Sequence, residues 1–157
     1  MKCPRYVHVV YCDDVRQEVG GKITLVGCYG ADLIVESPQG EPTLLPKLFA
    51  VVTAVTDIED PFERVRFRAF LGDDVLADME SAPIPPRDPS KSNPNAKRIS
   101  VSAVMAFVPF AAGDQPTKLR IEVETERETL SGPALRILFR HTTSAGTNPP
   151  SDSDKRP

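Results

Sequence analysis

The residues with the most chemistry in them crowd one stretch of this chain: Cys12, Asp13, Asp14, Arg16, Glu18, Gly20, Gly21 and Lys22. Carboxylates at that density are the raw material of acid–base catalysis or of a metal site, and Gly20-Gly21-Lys22 invites comparison with a phosphate loop. The spacing rules the phosphate loop out: it needs Gly at position 16 and Ser or Thr at position 23, where the chain has Arg16 and Ile23. An Arg among carboxylates lowers their pKa and competes with a cation for their oxygens, which favours a salt-bridged turn over a reactive one. We expect a structural turn, with Arg16 tied to Asp13, Asp14 or Glu18 against the body of the protein. Gly20 or Gly21 is expected at a left-handed backbone angle.

Other chemistries fare no better. His8 lies in an apolar run and His141 close to the polar C-terminal stretch, and neither accompanies a Ser or Cys in a nucleophile elbow. Cys3, Cys12 and Cys28 lack the C-x-x-C spacing of a zinc site. Calcium is the more substantial alternative. If successive strands run simply up and down, connections at 13–21, 38–43, 72–74 and 110–116 share one end of the molecule. That end would gather Asp13, Asp14, Glu41, Asp73, Asp74 and Asp114, oxygen donors of the kind calcium takes. The competing function is therefore a calcium- or metal-dependent enzyme or binding domain. No catalytic residue and no cofactor is expected from the motifs themselves. Pro86-Arg87-Asp88-Pro89 fits the P-x-x-P spacing of extended-peptide ligands, within a Pro-rich segment that reads as a linker-like loop.

Cys-Asp-Asp-Val-Arg-Gln-Glu from Cys12, then Gly-Gly-Lys-Ile-Thr-Leu-Val-Gly-Cys-Tyr from Gly20, and Leu45-Pro46-Lys47-Leu48 further on, carry a resemblance. The chain is similar over residues 5–80 to a family of small bacterial and phage proteins with a Cys-Asp-Asp-x-Arg-x-Glu-x-x-Gly-Lys N-terminal signature. The resemblance implies a bacterial or prophage origin and one compact domain, and it brings no activity with it.

A chain of 157 residues fits one domain and can bury a core without a metal or disulfide. The net charge of -3 and a pI near 5.4 are far from those of a nucleic-acid module, and 6% aromatics with no Trp make a poor stacking platform. No apolar run approaches a membrane span, and Met1-Lys2-Cys3-Pro4 does not open a secretory signal, so a cytoplasmic location is expected. Three cysteines argue against a disulfide framework. In a hairpin of 5–12 with 22–29, Cys12 faces the region of Lys22 and Cys28 lies about 20 Å along the ladder, well outside the ~7 Å reach of a disulfide.

The elements that must position all this are strands. Lys118, Leu119, Arg120, Ile121, Glu122, Val123 and Glu124 alternate apolar and charged, as do Arg64 to Ala69, and Ile99, Val101, Ala103, Met105 and Phe107 form a longer inward face. Helical spacing is not sustained anywhere. The pattern predicts strands over 5–12, 22–29, 31–37, 44–56, 63–71, 74–79, 97–109, 117–127 and 134–141, with Gly, Pro and Asp clusters between them. About nine short strands point to an all-β, two-sheet antiparallel sandwich, immunoglobulin-like, in residues 1–141, with a jelly roll or closed barrel as the alternative. Residues 80–96 are expected to form a long Pro-rich loop, and 142–157 a disordered tail. The function expected is that of a non-enzymatic interaction or structural module that contacts a protein partner, or itself, through a sheet edge, without nucleic acid or membrane.

Overall fold

The computed structural model describes residues 4–38, 40–84, 93 and 95–141. Cys3, the Pro86–Pro89 motif and the 142–157 tail lie outside the described residues. Among the described residues there are twelve strands: β1 (Tyr6–Gln17), β2 (Ile23–Cys28), β3 (Asp32–Ser37), β4 (Thr43–Leu45), β5 (Leu48–Asp57), β6 (Val65–Leu71), β7 (Asp74–Glu80), β8 (Arg98–Phe107), β9 (Phe110–Gly113), β10 (Thr117–Thr125), β11 (Thr129–Ser131) and β12 (Leu135–His141). One sheet runs β2-β1-β5-β8 and the other β3-β12-β10-β6-β7, with β11 continuing the place of β12 along β10; β4 and β9 form a two-stranded annex. No sheet closes on itself, so the closed-barrel alternative falls away. The run β12-β10-β6-β7 has the G-F-C-C′ order of an immunoglobulin sandwich.

The alternation seen in the sequence builds the core. Leu119, Ile121 and Val123 of β10 are fully buried, and so are Leu48, Ala50, Val52 and Ala54 of β5. These residues meet Val9 and Tyr11 of β1, Val65 and Phe67 of β6, and Leu135 and Ile137 of β12 in one apolar cluster shared by both sheets. Tyr11 crosses the interior. Its hydroxyl donates to the carbonyls of Leu119 (3.3 Å) and Pro133 (3.0 Å), which satisfies a polar group that the core would otherwise strand. Burial pushes this phenol above its ordinary pKa.

Four expectations need correction. Twelve strands replace nine because Pro46-Lys47 splits the 44–56 run into β4 and β5, and because β9 and β11 are too short to show alternation. The sandwich is not wholly antiparallel: β3 pairs β12 in parallel, from Asp32 opposite Arg136 to Ser37 opposite His141. β1 does not stop at Cys12. It continues to Gln17, and the turn contracts to Glu18–Lys22, closed by a hydrogen bond from the Glu18 amide to the Lys22 carbonyl (2.8 Å). This outer half of the hairpin has no core beneath it, so backbone pairing and polar side-chain contacts hold it and its side chains carry no period. The longer ladder also shifts the register. Cys12 lies directly opposite Cys28, rather than far along the strand from it.

At Gly132, ahead of β12, the second sheet comes so close to the first that an added Cβ would collide with Cγ2 of Val9. The approach admits only a hydrogen. Gly132→Ala is expected to cost about 1–3 kcal/mol through overpacking, read as a lower urea midpoint with an unchanged slope.

Candidate functional site

The two sheets do not meet evenly. Along β8 the inward residues Ile99, Val101 and Ala103 are only half-buried, whereas Met105 and Phe107 further on are buried. β7, which ends the other sheet on the same side, has Ala77 as its single half-buried residue. The sandwich therefore gapes at this corner, leaving a cleft of about 800 Å³. Phe62 and Phe67 lie at its base, with Met79 and Ile84 on one wall and Ile99 and Val101 on the other. Glu80 and Arg98 are the charged residues of the lining; the rest are apolar residues or serines. Arg98 is held at the rim, where its guanidinium stands over the Tyr6 ring (5.9 Å) and donates to the Tyr6 hydroxyl (3.2 Å).

Both walls are sheet edges. Among the described residues β8 pairs only β5, and β7 pairs only β6, so each presents an outer row of backbone N–H and C=O groups to which no described strand is paired. Such a site can hold an apolar, extended molecule with backbone-like donors and acceptors. Among its described residues no nucleophile is paired with a base. Among the described residues, no three of His, Cys, Asp and Glu come together as a metal site.

An ion-pair cluster braces the base of the cleft. Arg5 has a side chain only 5% exposed; it donates to Glu126 Oε1 at 2.7 Å and to the carbonyls of Asp60 and Pro61, each at 3.3 Å. Its guanidinium covers the Phe62 ring at 4.9 Å. Arg127 adds a 2.8 Å pair to Asp60. Burial alone would raise the Glu126 pKa. Hydrogen bonds from its own backbone amide, from the Arg5 guanidinium and from the Glu63 amide outweigh that and hold it at about 2, well below the ordinary 4.5. Nothing in the sequence marked this cluster, because Arg5, Asp60 and Glu126 are scattered along the chain and share no motif spacing.

The charged stretch around Asp13 lies elsewhere, on the protruding β1–β2 hairpin. Asp13 and Asp14 are strand residues. Asp13 accepts a hydrogen bond from the Tyr29 hydroxyl and folds over Gly27, whose missing side chain makes the room. Asp14 binds Lys47 Nζ at 2.8 Å and Arg16 Nε at 3.3 Å, so the Lys47 contact joins the two halves of the signature. The Lys47 hydrogen bond, with Arg16 in support, keeps the Asp14 carboxyl below the usual range. Arg16 does meet Asp14, but its side chain is 64% exposed, so it is not held against the sandwich as expected. Glu18 is exposed in the turn, and both Gly20 and Gly21 have left-handed φ angles, 81° and 74°. Asp73 lies in the β6–β7 turn and Asp74 opens β7, Asp114 follows β9, and Glu41 precedes β4. The up-and-down path that would have gathered these acids is absent, since β3 leaves the first hairpin to join the other sheet. His8 is exposed on β1, and His141 is the last residue of β12.

Buried and exposed ion pairs should respond differently to mutation. Arg5→Ala strands the Glu126 carboxylate and should lower stability by about 3–5 kcal/mol, whereas Arg16→Ala should leave the urea midpoint where it is, because an exposed pair contributes little. The depressed Glu126 pKa has a fixed sign. Its contribution is complete above about pH 4.5 and is lost as the pH falls towards 2. Glu126→Gln should therefore flatten the pH–stability curve across that window and leave the slope at higher pH unchanged.

No family model matches this chain and no curated protein matches it, so the chemistry of the cleft rests on the residues that line it.

Proposed function

We propose that this protein is a binding module that takes up an extended, apolar segment of another polypeptide as an added strand in the cleft between β7 and β8. One observation carries the reading: two sheet edges that are unpartnered among the described residues face each other across an apolar lining. Strand addition obtains its affinity from main-chain hydrogen bonds and its selectivity from pockets for alternate side chains, and this corner supplies both. The β8 strand also carries little protection in its own sequence. Edge strands are ordinarily kept short or broken by Lys, Pro or an inward charge, yet β8 is ten residues long, with its one charge, Arg98, at the first position and no Pro within it. A strand left so open is suited to a partner.

A displayed library of random peptides the length of β8 tests this. Enriched sequences should alternate apolar and polar residues, slow amide exchange along β8, and bind at least about tenfold more weakly to a Val101→Arg variant, whose side chain occupies the cleft. Enriched peptides that bind Val101→Arg as well as the parent, or a library that yields none dependent on Val101, would overturn the proposal. Concentration-dependent dimerisation abolished by the same substitution would replace the foreign segment with a second copy of this chain, and would overturn it too.

A further inference from the structure

The pairing of Cys12 with Cys28 places two thiols where a covalent bond can form between them. In the β1–β2 ladder these residues are direct partners. The amide of Tyr29, one residue beyond Cys28, donates to the carbonyl of Tyr11, one residue before Cys12, at 2.8 Å. Hydrogen bonds that flank a pair in this way make it a non-hydrogen-bonded pair, the kind in which Cα atoms approach to about 4.5 Å and side chains on the same face come closest. That separation falls inside the roughly 4.4–6.8 Å range spanned by disulfides. Cys12 is fully buried yet stands outside the core cluster, because alternation turns it away from Tyr11 towards the outer face of its sheet, between Phe49 of β5 and Cys28 of β2. Cys28 is exposed. The two thiols therefore differ in access although they are neighbours.

We propose that Cys28 is a site of thiol–disulfide exchange with low-molecular-weight disulfides and that Cys12 resolves the adduct, closing a Cys12–Cys28 cross-strand disulfide. The exchange balances in two steps. The Cys28 thiolate attacks one sulfur of a small disulfide such as oxidised glutathione, the S–S bond breaks, and the first small thiol leaves with the proton given up by Cys28. Cys12 then loses its proton and attacks the Cys28 sulfur of the mixed disulfide, releasing the second small thiol. The protein gives up two electrons and two protons, and the small disulfide takes both. Division of labour follows from burial: desolvation, with the neighbouring Cys28 adding to it, raises the Cys12 pKa, so the buried thiol is the poorer initial nucleophile and depends on an adduct being brought to it. The bond would fasten the edge strand β2 to β1 halfway along a hairpin whose outer half has no core beneath it. This inference is independent of the peptide cleft, which lies beyond β5 at the far edge of the same sheet.

The test uses the full chain carrying Cys3→Ser, incubated with oxidised glutathione. Non-reducing peptide mapping should show Cys12 joined to Cys28 and no stable glutathione adduct, and the oxidised protein should melt about 5–10 °C higher than the reduced one. Cys12→Ser should trap a single glutathione adduct on Cys28, and Cys28→Ser should leave Cys12 unmodified while the protein is folded. Persistence of the Cys28 adduct in the protein with both thiols, absence of any reaction, or a lower melting temperature on closing the bond would each overturn the proposal.

Discussion

The rest of the molecule depends on the register of β1 against β5. Because side chains alternate faces with a period of two, a slip of one residue would turn Val9 and Tyr11 out to solvent and bring His8 and Cys12 into the interior. That penalty locks β1 in place, and much else is drawn along with it. Tyr11 reaches the backbone of the opposite sheet, Val9 comes to lie under Gly132, and Arg5, just ahead of the strand, is carried to Glu126. Even the thiol pair on the hairpin is a consequence, since the continuous β1 ladder carries one pairing into the next.

How far this was legible in the sequence depended on whether a residue's partner was water or protein. Strands with one wet face declare themselves: Leu119, Ile121 and Val123 between charges, or Phe67 between Arg66 and Arg68, mark β10 and β6 by alternation alone. The outer hairpin was illegible for the opposite reason. Both of its faces are largely wet, so Asp13 to Gln17 looked like a turn although Asp14 to Gln17 pair residue by residue with β2. The parallel β3–β12 pairing left no trace because parallel and antiparallel edge strands carry the same alternation. The signature turn was visible, but its density of charge suggested burial where the structure has exposure; the buried charges belong to Arg5 and Glu126, which stand far apart in the chain. The cleft was hidden for a related reason. Ile99 and Val101 are apolar at inward positions, and only three-dimensional packing shows that they are half-buried among the described residues.

The two outer faces of the sandwich obey different physics. On the second sheet Arg66 forms a two-pronged contact with Asp78, both distances 2.6 Å, and Arg136 does the same with Asp32 at 2.6 and 2.8 Å. Phe70 lies among these charges with the guanidinium of Arg68 at 5.0 Å and that of Arg120 at 4.8 Å from its ring centre, a pairing of cations with an aromatic face that offsets its position outside the core. The first sheet turns Val10, Phe49, Val51 and Val104 outwards instead. One surface is insulated by ion pairs, and the other stays oily.

The parallel pairing of β3 has a consequence for the order in which the fold can be made. Among the described residues β3 has no neighbour in its sheet except β12, and the Asp32–Arg136 contact that starts their ladder spans 104 residues of chain. As the chain leaves the ribosome, β3 emerges early and must wait for nearly everything that follows before its backbone can pair. Leu33 and Val35, buried in the finished protein, remain without their cover throughout that interval. The last strand of the sandwich thus completes one of the first, and any truncation within β12 would leave a nascent strand permanently open at the flank opposite the cleft.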